Sequence, residues 1–120
     1  MSFAPVFLSV WDPYSSPAPF RPDVAAPYDG VKERKIEAAL CHISQLYEWL
    51  PYIDGWTQVE NASSFEEKTA LLTEILDGQF AREAALYPDR MPPGVRYAET
   101  FEWNEYGAPL TEELRQVMEG

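Results

Sequence analysis

The chain has 120 residues, the size of one ordinary domain, and its 46% hydrophobic and 14% aromatic residues suffice for a core and exclude a disordered tail. Its 20 acidic residues against 9 Lys and Arg give a formal charge of -11, which repels phosphate backbones and anionic membranes, so we expect no nucleic-acid partner. The single cysteine cannot form an internal disulfide, no signal-peptide pattern opens the chain, and the apolar runs are too short to span a bilayer, so we expect a cytoplasmic protein.

The first part of the chain predicts short strands separated by a loop. The β-branched and aromatic run at 5–10 predicts a short buried strand, which the Asp12-Pro13 turn signal ends. Repeated prolines in residues 12–23 indicate an ordered, polyproline-like loop. A very short extended piece follows and is limited by Pro27.

The clearest predicted element is a helix over residues 31–50. Asp29 is a suitable N-cap, and Pro51 ends the helix because proline disfavours helical geometry at the residue before it. At about 100° per residue, the apolar positions fall on one stripe that should face a core. These positions are Ile36, Ala39, Leu40, Ile43, Leu46, Tyr47 and Leu50.

The second half of the chain predicts a helix, a strand and a short final helix. Ser64 and Glu67 have the spacing of a capping box, which opens a helix that reaches about Tyr87. Aromatic and polar residues then alternate over 95–107, as in a strand. Thr111 is a suitable N-cap for a short amphipathic C-terminal helix. The order of these elements predicts a mixed α/β fold.

The common catalytic signatures are missing from the sequence. It contains no Gly-rich nucleotide loop, P-loop, HExxH, CxxC or GxSxG. The only cysteine and the only histidine, Cys41 and His42, are adjacent, and neighbouring helical side chains point about 100° apart. They should therefore neither chelate one metal ion nor act as a nucleophile and base pair, and we assign no catalytic residue and no metal ligand to this chain.

Carboxylates offer a further possibility for catalysis. Glu99, Glu102 and Glu105 lie on or near the predicted last strand, and Glu66 and Glu67 begin a helix. Paired carboxylates can serve as general acid and base, so a small carboxylate enzyme is one reading. In a chain with a charge of -11, solvated acids are the alternative.

The predicted first helix carries a second organised face beside its apolar stripe. Lys35, His42, Gln45 and Trp49 gather there in a stripe about 80° wide. A solvated flank with a snorkelling lysine explains this face, and so does a surface that contacts a ligand or a missing neighbour. Cations in the first turns oppose the helix dipole, which favours the second reading. These four residues are our candidates for facing a substrate or partner.

Three segments carry a resemblance to a known family. They are the Arg-Pro-Asp at 21–23 before a short strand, the helix with Lys35, Ala39, His42, Ser44 and Gln45, and a closing aromatic strand that ends in Glu105, Tyr106 and Gly107. Through them, residues from about 6 to 118 resemble the C-terminal part of the PIG-L (LmbE-like) family of zinc-dependent N-deacetylases. In that comparison His42 matches a helix histidine that borders the site and is not a zinc ligand.

The resemblance implies metal-assisted hydrolysis of an acetamide, often on an amino sugar. In such proteins a zinc-bound water attacks the amide carbonyl, an Asp acts as base, and a His stabilises the oxyanion. The HPDD-type and HxDH-type motifs that supply the metal ligands and the base are absent from this sequence. Zinc therefore belongs to the full-length family and not to this chain, which we expect to be inactive alone.

The resemblance also implies a fold. We expect residues 1–120 to form a single unit, the C-terminal portion of a Rossmann-like α/β fold, with short strands, two long helices and a short C-terminal helix. The chain would then be a segment or truncated homologue of a deacetylase whose N-terminal half is missing. The alternative is a non-catalytic binding or assembly module that acts as a homodimer.

Overall fold

The computed structural model describes residues 4–120 and has a mixed α/β fold, as predicted. Its strands are β1 (Phe7–Val10), β2 (Val24–Pro27) and β3 (Ala98–Asn104). Its helices are α1 (Lys32–Leu40), α2 (Leu50–Ile53), α3 (Thr57–Asn61), α4 (Phe65–Phe80), α5 (Arg82–Leu86) and α6 (Glu112–Glu119), with a π-helical segment at Ser44–Trp49 and 3-10 turns at Asp29–Val31 and Pro88–Arg90. No helix in the described residues is both long enough and apolar enough to cross a bilayer.

The described residues form two compact units. The first unit consists of residues 4–29 and 81–120 and contains all three strands, and the second consists of residues 30–80. In the first unit the strands form an antiparallel sheet in the order β1-β3-β2, so that β3 is central. Leu8 lies opposite Trp103 in one strand pair, and Val24 lies opposite Phe101 in the other.

The prediction that the first strand is buried is wrong. β1 is an edge strand, and its Phe7 and Val10 are 48% and 68% exposed. An apolar run indicates a strand but does not reveal whether neighbouring strands cover both of its sides. The buried outer strand is β2 instead, in which Val24 is fully buried.

The second unit is a small helical bundle. Lys32 in α1 donates a hydrogen bond of 2.9 Å to Asp77 in α4, and this bond raises the pKa of the lysine. The helices bury one cluster of mostly apolar side chains, which matches much of the predicted stripe except for Ile43, which is exposed. The cluster consists of Ile36, Leu46, Tyr47, Val59, Leu72 and Leu76.

Two predicted helix starts are confirmed by their caps. The backbone N–H of Glu67 donates to Oγ of Ser64 at 3.1 Å at the start of α4, and the carboxylate of Glu67 accepts from the N–H of Ser63 at 2.9 Å. These donors at Ser63 hold the pKa of Glu67 below its usual value. Thr111 Oγ1 accepts from the N–H of Leu114 at 3.2 Å and begins α6.

The predicted single helix over 31–50 is wrong, since the chain leaves the helical path at Cys41 and His42. α1 ends at Leu40, and the helix resumes only after this break. Asp29 is not the N-cap, because its carboxylate accepts instead from the backbone N–H of Tyr97 at 2.8 Å. This tertiary bond outweighs the local capping preference.

Pro51 does not end the helix either, because the helical path continues through it to Ile53. The π-helical turn before it lets the N–H of Leu50 donate to the carbonyl of Gln45, five residues back. A π turn is wider than an α turn, so the proline ring avoids the clash with the preceding turn that normally breaks a helix. Gly55, with a φ of 70°, lies just beyond the real end.

The second predicted helix is also divided, so the expected pair of long helices is reduced to one, the 16-residue α4. α4 ends at Phe80, and the separate helix α5 begins at Arg82. Within the first unit, Glu83 in α5 bonds to Thr100 in β3, with 2.9 Å to the backbone nitrogen. A contact to the sheet therefore positions α5, which periodicity alone does not predict.

Candidate functional site

The π-helical segment Ser44–Trp49 carries two of the four candidate residues, Gln45 and Trp49. π-helices are rare and occur frequently at functional sites. Here the segment is anchored on one side, where Leu46 and Tyr47 are buried in the core of the second unit. The other side chains of the segment are exposed, and the two buried residues anchor the backbone that carries them.

Gln45 and Trp49 line an open cleft together with Ser44, Glu48 and Tyr52, and the cleft measures about 390 Å³. Trp49 is 53% exposed and Tyr52 is 72% exposed. Exposed aromatic rings with a few polar groups beside them are typical of binding surfaces. The carboxamide of Gln45 and the hydroxyl of Ser44 can each donate and accept, and the carboxylate of Glu48 accepts. The cleft therefore offers stacking surfaces and hydrogen bonds to one ligand.

The structure places the other two candidates, Lys35 and His42, elsewhere on the second unit. The ammonium of Lys35 in α1 lies 4.3 Å from the ring centroid of Phe80, a cation–π distance. His42 is exposed in the break after α1, where its backbone N–H donates to Ala39 and its carbonyl accepts from Leu46. Neither side chain lines the cleft. The structure thus brings Gln45 and Trp49 together and does not bring Lys35 and His42 to them.

The described residues do not fit the zinc site that the resemblance implies for the full-length family. Cys41 is exposed, and its thiol lies 3.4 Å from the carbonyl oxygen of Glu37. Zinc sites take three or four protein ligands from His, Cys, Asp and Glu. Among residues 4–120, no group of three or more such side chains is arranged to hold a metal ion.

A second cleft, which the sequence did not predict as a site, lies in the first unit and measures about 580 Å³. Most of its polar groups bond to the protein itself: Arg21 Nε donates to Asp23 at 2.7 Å, and the N–H of Arg21 donates to Glu102 at 2.7 Å. These bonds hold the proline-rich loop against β3. The lining residues are Arg21, Asp23, Glu102, Trp103, Asn104, Glu105 and Tyr106.

Asp23 is the centre of this network. Its carboxylate accepts from Arg21 Nε and from the backbone N–H of Trp103, at 2.7 and 2.8 Å. Burial alone would raise the pKa of Asp23, but the hydrogen bonds from Arg21 and Trp103 and the charges of Arg21 and Arg115 together lower it. The fold therefore stabilises the ionised form of the Asp23 carboxyl group. No short-range pattern signals this pair, because Asp23 and Trp103 are 80 residues apart.

The three glutamates on or just after β3 are divided between two clefts. Glu102 and Glu105 line the large cleft, whereas Glu99 lines a separate cleft of about 200 Å³ with Glu83, Arg82 and others. An acid and base pair needs two carboxylates that reach the same reacting group. Only Glu102 and Glu105 share a cleft, and an oxygen of Glu102 already accepts a hydrogen bond from the backbone N–H of Arg21 at 2.7 Å.

Comparison with protein-family models, with curated proteins and with solved structures finds no match to this chain. We therefore infer function from the chemistry of the clefts and from the sequence motifs. The cleft at Gln45 and Trp49 places two exposed aromatic rings beside hydrogen-bonding groups.

Proposed function

We propose that this chain is the C-terminal part of a PIG-L-like N-deacetylase and acts in the cytoplasm. The observation that supports this proposal is the exposed Trp49 beside Gln45 on the π-helical segment. Ser44 and Gln45 belong to the helix motif that carries the resemblance, and the cleft gives these two residues a ligand-facing surface. In the proposed protein, the metal ligands and the catalytic base come from a segment outside this sequence.

The proposed substrate is an N-acetylated amino sugar or a conjugate of one. Hydrolysis adds water across the acetamide C–N bond and releases acetate and a free amine. In this proposal Trp49 and Tyr52 stack on the apolar face of the sugar ring, and Gln45 and Glu48 bind its hydroxyl groups. The role of this chain is to bind and orient the substrate. This increases the rate of hydrolysis, because a substrate that is already held in place loses less entropy on reaching the transition state.

The antiparallel three-stranded sheet of the first unit is compatible with a position at the edge of a larger sheet. A Rossmann-like sheet is mostly parallel, but many such sheets carry antiparallel strands at an edge. We propose that the antiparallel sheet of the first unit is such a margin and that the full protein has the Rossmann-like fold. In that arrangement β1, at one edge of the three-stranded sheet, is the outermost strand of the full protein.

The direct test is the behaviour of the isolated chain. We expect no tightly bound zinc by elemental analysis and no release of acetate from an N-acetylglucosamine conjugate. Stoichiometric zinc together with turnover would refute the proposal that this chain is incomplete. Coding DNA upstream of Met1 that encodes an in-frame His-Pro-Asp-Asp motif would support it.

The proposed binding surface has its own test. In a titration of the ¹⁵N-labelled chain with N-acetylglucosamine, we expect the indole N–H signal of Trp49 and the side-chain amide signal of Gln45 to shift. The indole of Trp56, which packs against the core of the same unit, is the matched control and should not shift. Shifts confined to Trp103 would move the sugar site to the other cleft and contradict the proposal.

A further inference from the structure

β1 presents a backbone edge that pairs with no other strand in the described residues. The N–H of Trp103 in β3 donates to Asp23 at 2.8 Å and so points away from β1. Leu8, which lies opposite Trp103, is therefore in a non-hydrogen-bonded pair, and its own N–H and C=O point away from β3. Because this direction alternates along a strand, the N–H and C=O of Val10 point to the same outer edge.

This edge lacks the features that usually protect an edge strand. Proteins block exposed edges with charged side chains, prolines or bulges. Residues 6–11 contain no ionisable side chain and no proline, although the whole chain carries a charge of -11. Two copies of so acidic a chain repel each other over most of their surface, and the uncharged edge of β1 is a place where they can approach. Val10 and Phe7 are 68% and 48% exposed there.

We infer that two copies of this chain pair through β1, antiparallel, about a two-fold axis at Ser9. In this register Leu8 lies opposite Val10 of the second copy, so that the outward N–H and C=O groups of both residues bond across the interface. The exposed side chain of Val10 packs against Leu8 of the second copy, and the two three-stranded sheets become one continuous sheet.

The expected complex is a reversible dimer, because a single strand pair buries much less than the roughly 1,600 Å² of a standard stable interface. The inference of a dimer does not depend on the deacetylase proposal, since neither a substrate nor a metal takes part in the strand pairing. Another occupant of the same edge, such as a strand from a different polypeptide, would leave the pure chain monomeric at every concentration. That result would overturn the inference.

The register is tested by cross-linking in a Cys41→Ser background. Residues on the axis of an antiparallel, non-hydrogen-bonded pair have Cα atoms about 4.5 Å apart, within the range for a disulfide. Ser9→Cys should therefore form a disulfide-linked dimer readily under mild oxidation. In the control Phe7→Cys, the two cysteines lie about 13 Å apart along the strands and should cross-link at least tenfold more slowly. Equal rates for the two variants would refute this register.

Affinity is tested by sedimentation equilibrium over a hundredfold range of concentration. Val10→Lys places a cation on the paired edge of each copy and should weaken dimerisation at least tenfold. The matched control is Val117→Lys, the same substitution at a valine that is 79% exposed on α6. It should leave the dissociation constant unchanged. If both variants weaken the dimer equally, or if the unsubstituted chain is monomeric throughout, β1 is not the interface.

Discussion

One oxygen of Glu83 in α5 accepts two hydrogen bonds from Thr100 in β3, at 2.9 Å from the backbone nitrogen and 2.6 Å from the hydroxyl. Thr100 is only 1% exposed, so water cannot replace these bonds. A buried donor that loses its acceptor costs its full desolvation energy. The single carboxylate of Glu83 therefore attaches α5 to the centre of the sheet.

Glu83→Ala should lower the free energy of unfolding by about 2–3 kcal/mol, since it leaves both donors of Thr100 unsatisfied. Glu83→Gln keeps an acceptor but loses its charge, and we expect a smaller loss of about 1 kcal/mol. The control is Glu74→Ala on the exposed side of α4, with a change within about 0.5 kcal/mol. Urea unfolding measures all three. Equal losses for Glu83→Ala and Glu74→Ala would show that the bond to Thr100 contributes nothing.

Two glycines should respond to the same substitution with opposite signs. A Cβ on Gly107 would collide with the carbonyl oxygen of Pro5 and lie 2.6 Å from the ring of Phe7, so Gly107→Ala should destabilise by about 1–3 kcal/mol. A Cβ on Gly78 meets no atom within 4 Å, and Gly78 lies inside α4. Gly78→Ala should therefore stabilise by about 0.5–1 kcal/mol. Thermal unfolding of both variants tests this contrast, and two changes of the same sign would contradict it.

The elements that were predicted correctly are those fixed by short-range contacts. The caps at Ser64 and Thr111 involve bonds to residues only three positions away, so the sequence pattern reveals them directly. The failures involve partners that are distant in the chain. Asp29 bonds to Tyr97 across 68 residues, and no local pattern indicates that its carboxylate is withdrawn from the helix start.

In the candidate site, too, the sequence predicts the short-range grouping correctly and the longer-range grouping wrongly. Gln45 and Trp49 are four residues apart, and this spacing keeps them on one side of the helical path even though the turn is π and not α. The sequence groups Lys35 and His42 with them only by extrapolation over a continuous helix. The break at Cys41 and His42 invalidates that extrapolation, because each interruption resets the direction of the following side chains.

Stability should depend on pH through Asp23. Its pKa is lowered in the folded state, so its contribution is fully present above the unfolded value of about 3.9 and is lost as the pH falls through the folded value. Asp23→Asn should therefore cost about 1–3 kcal/mol at pH 7, and the difference from the unsubstituted chain should shrink below about pH 4. Urea unfolding between pH 7 and pH 2.5 measures this difference. A difference that stays constant over this range would show that the charge of Asp23 does not stabilise the fold.

Trp49 and Trp56 provide the last prediction, a separation of binding from stability. Trp49 is 53% exposed, whereas Trp56 packs against the core cluster of the same unit. Trp56→Ala removes core contacts and should cost about 3 kcal/mol in the free energy of unfolding. Trp49→Ala should change it by less than about 1 kcal/mol while abolishing the sugar-dependent shift of the Gln45 amide. Urea unfolding and the titration with N-acetylglucosamine measure the two effects. If Trp49→Ala destabilises the chain as much as Trp56→Ala, the exposed ring has a structural role and the cleft loses its main support as a binding site.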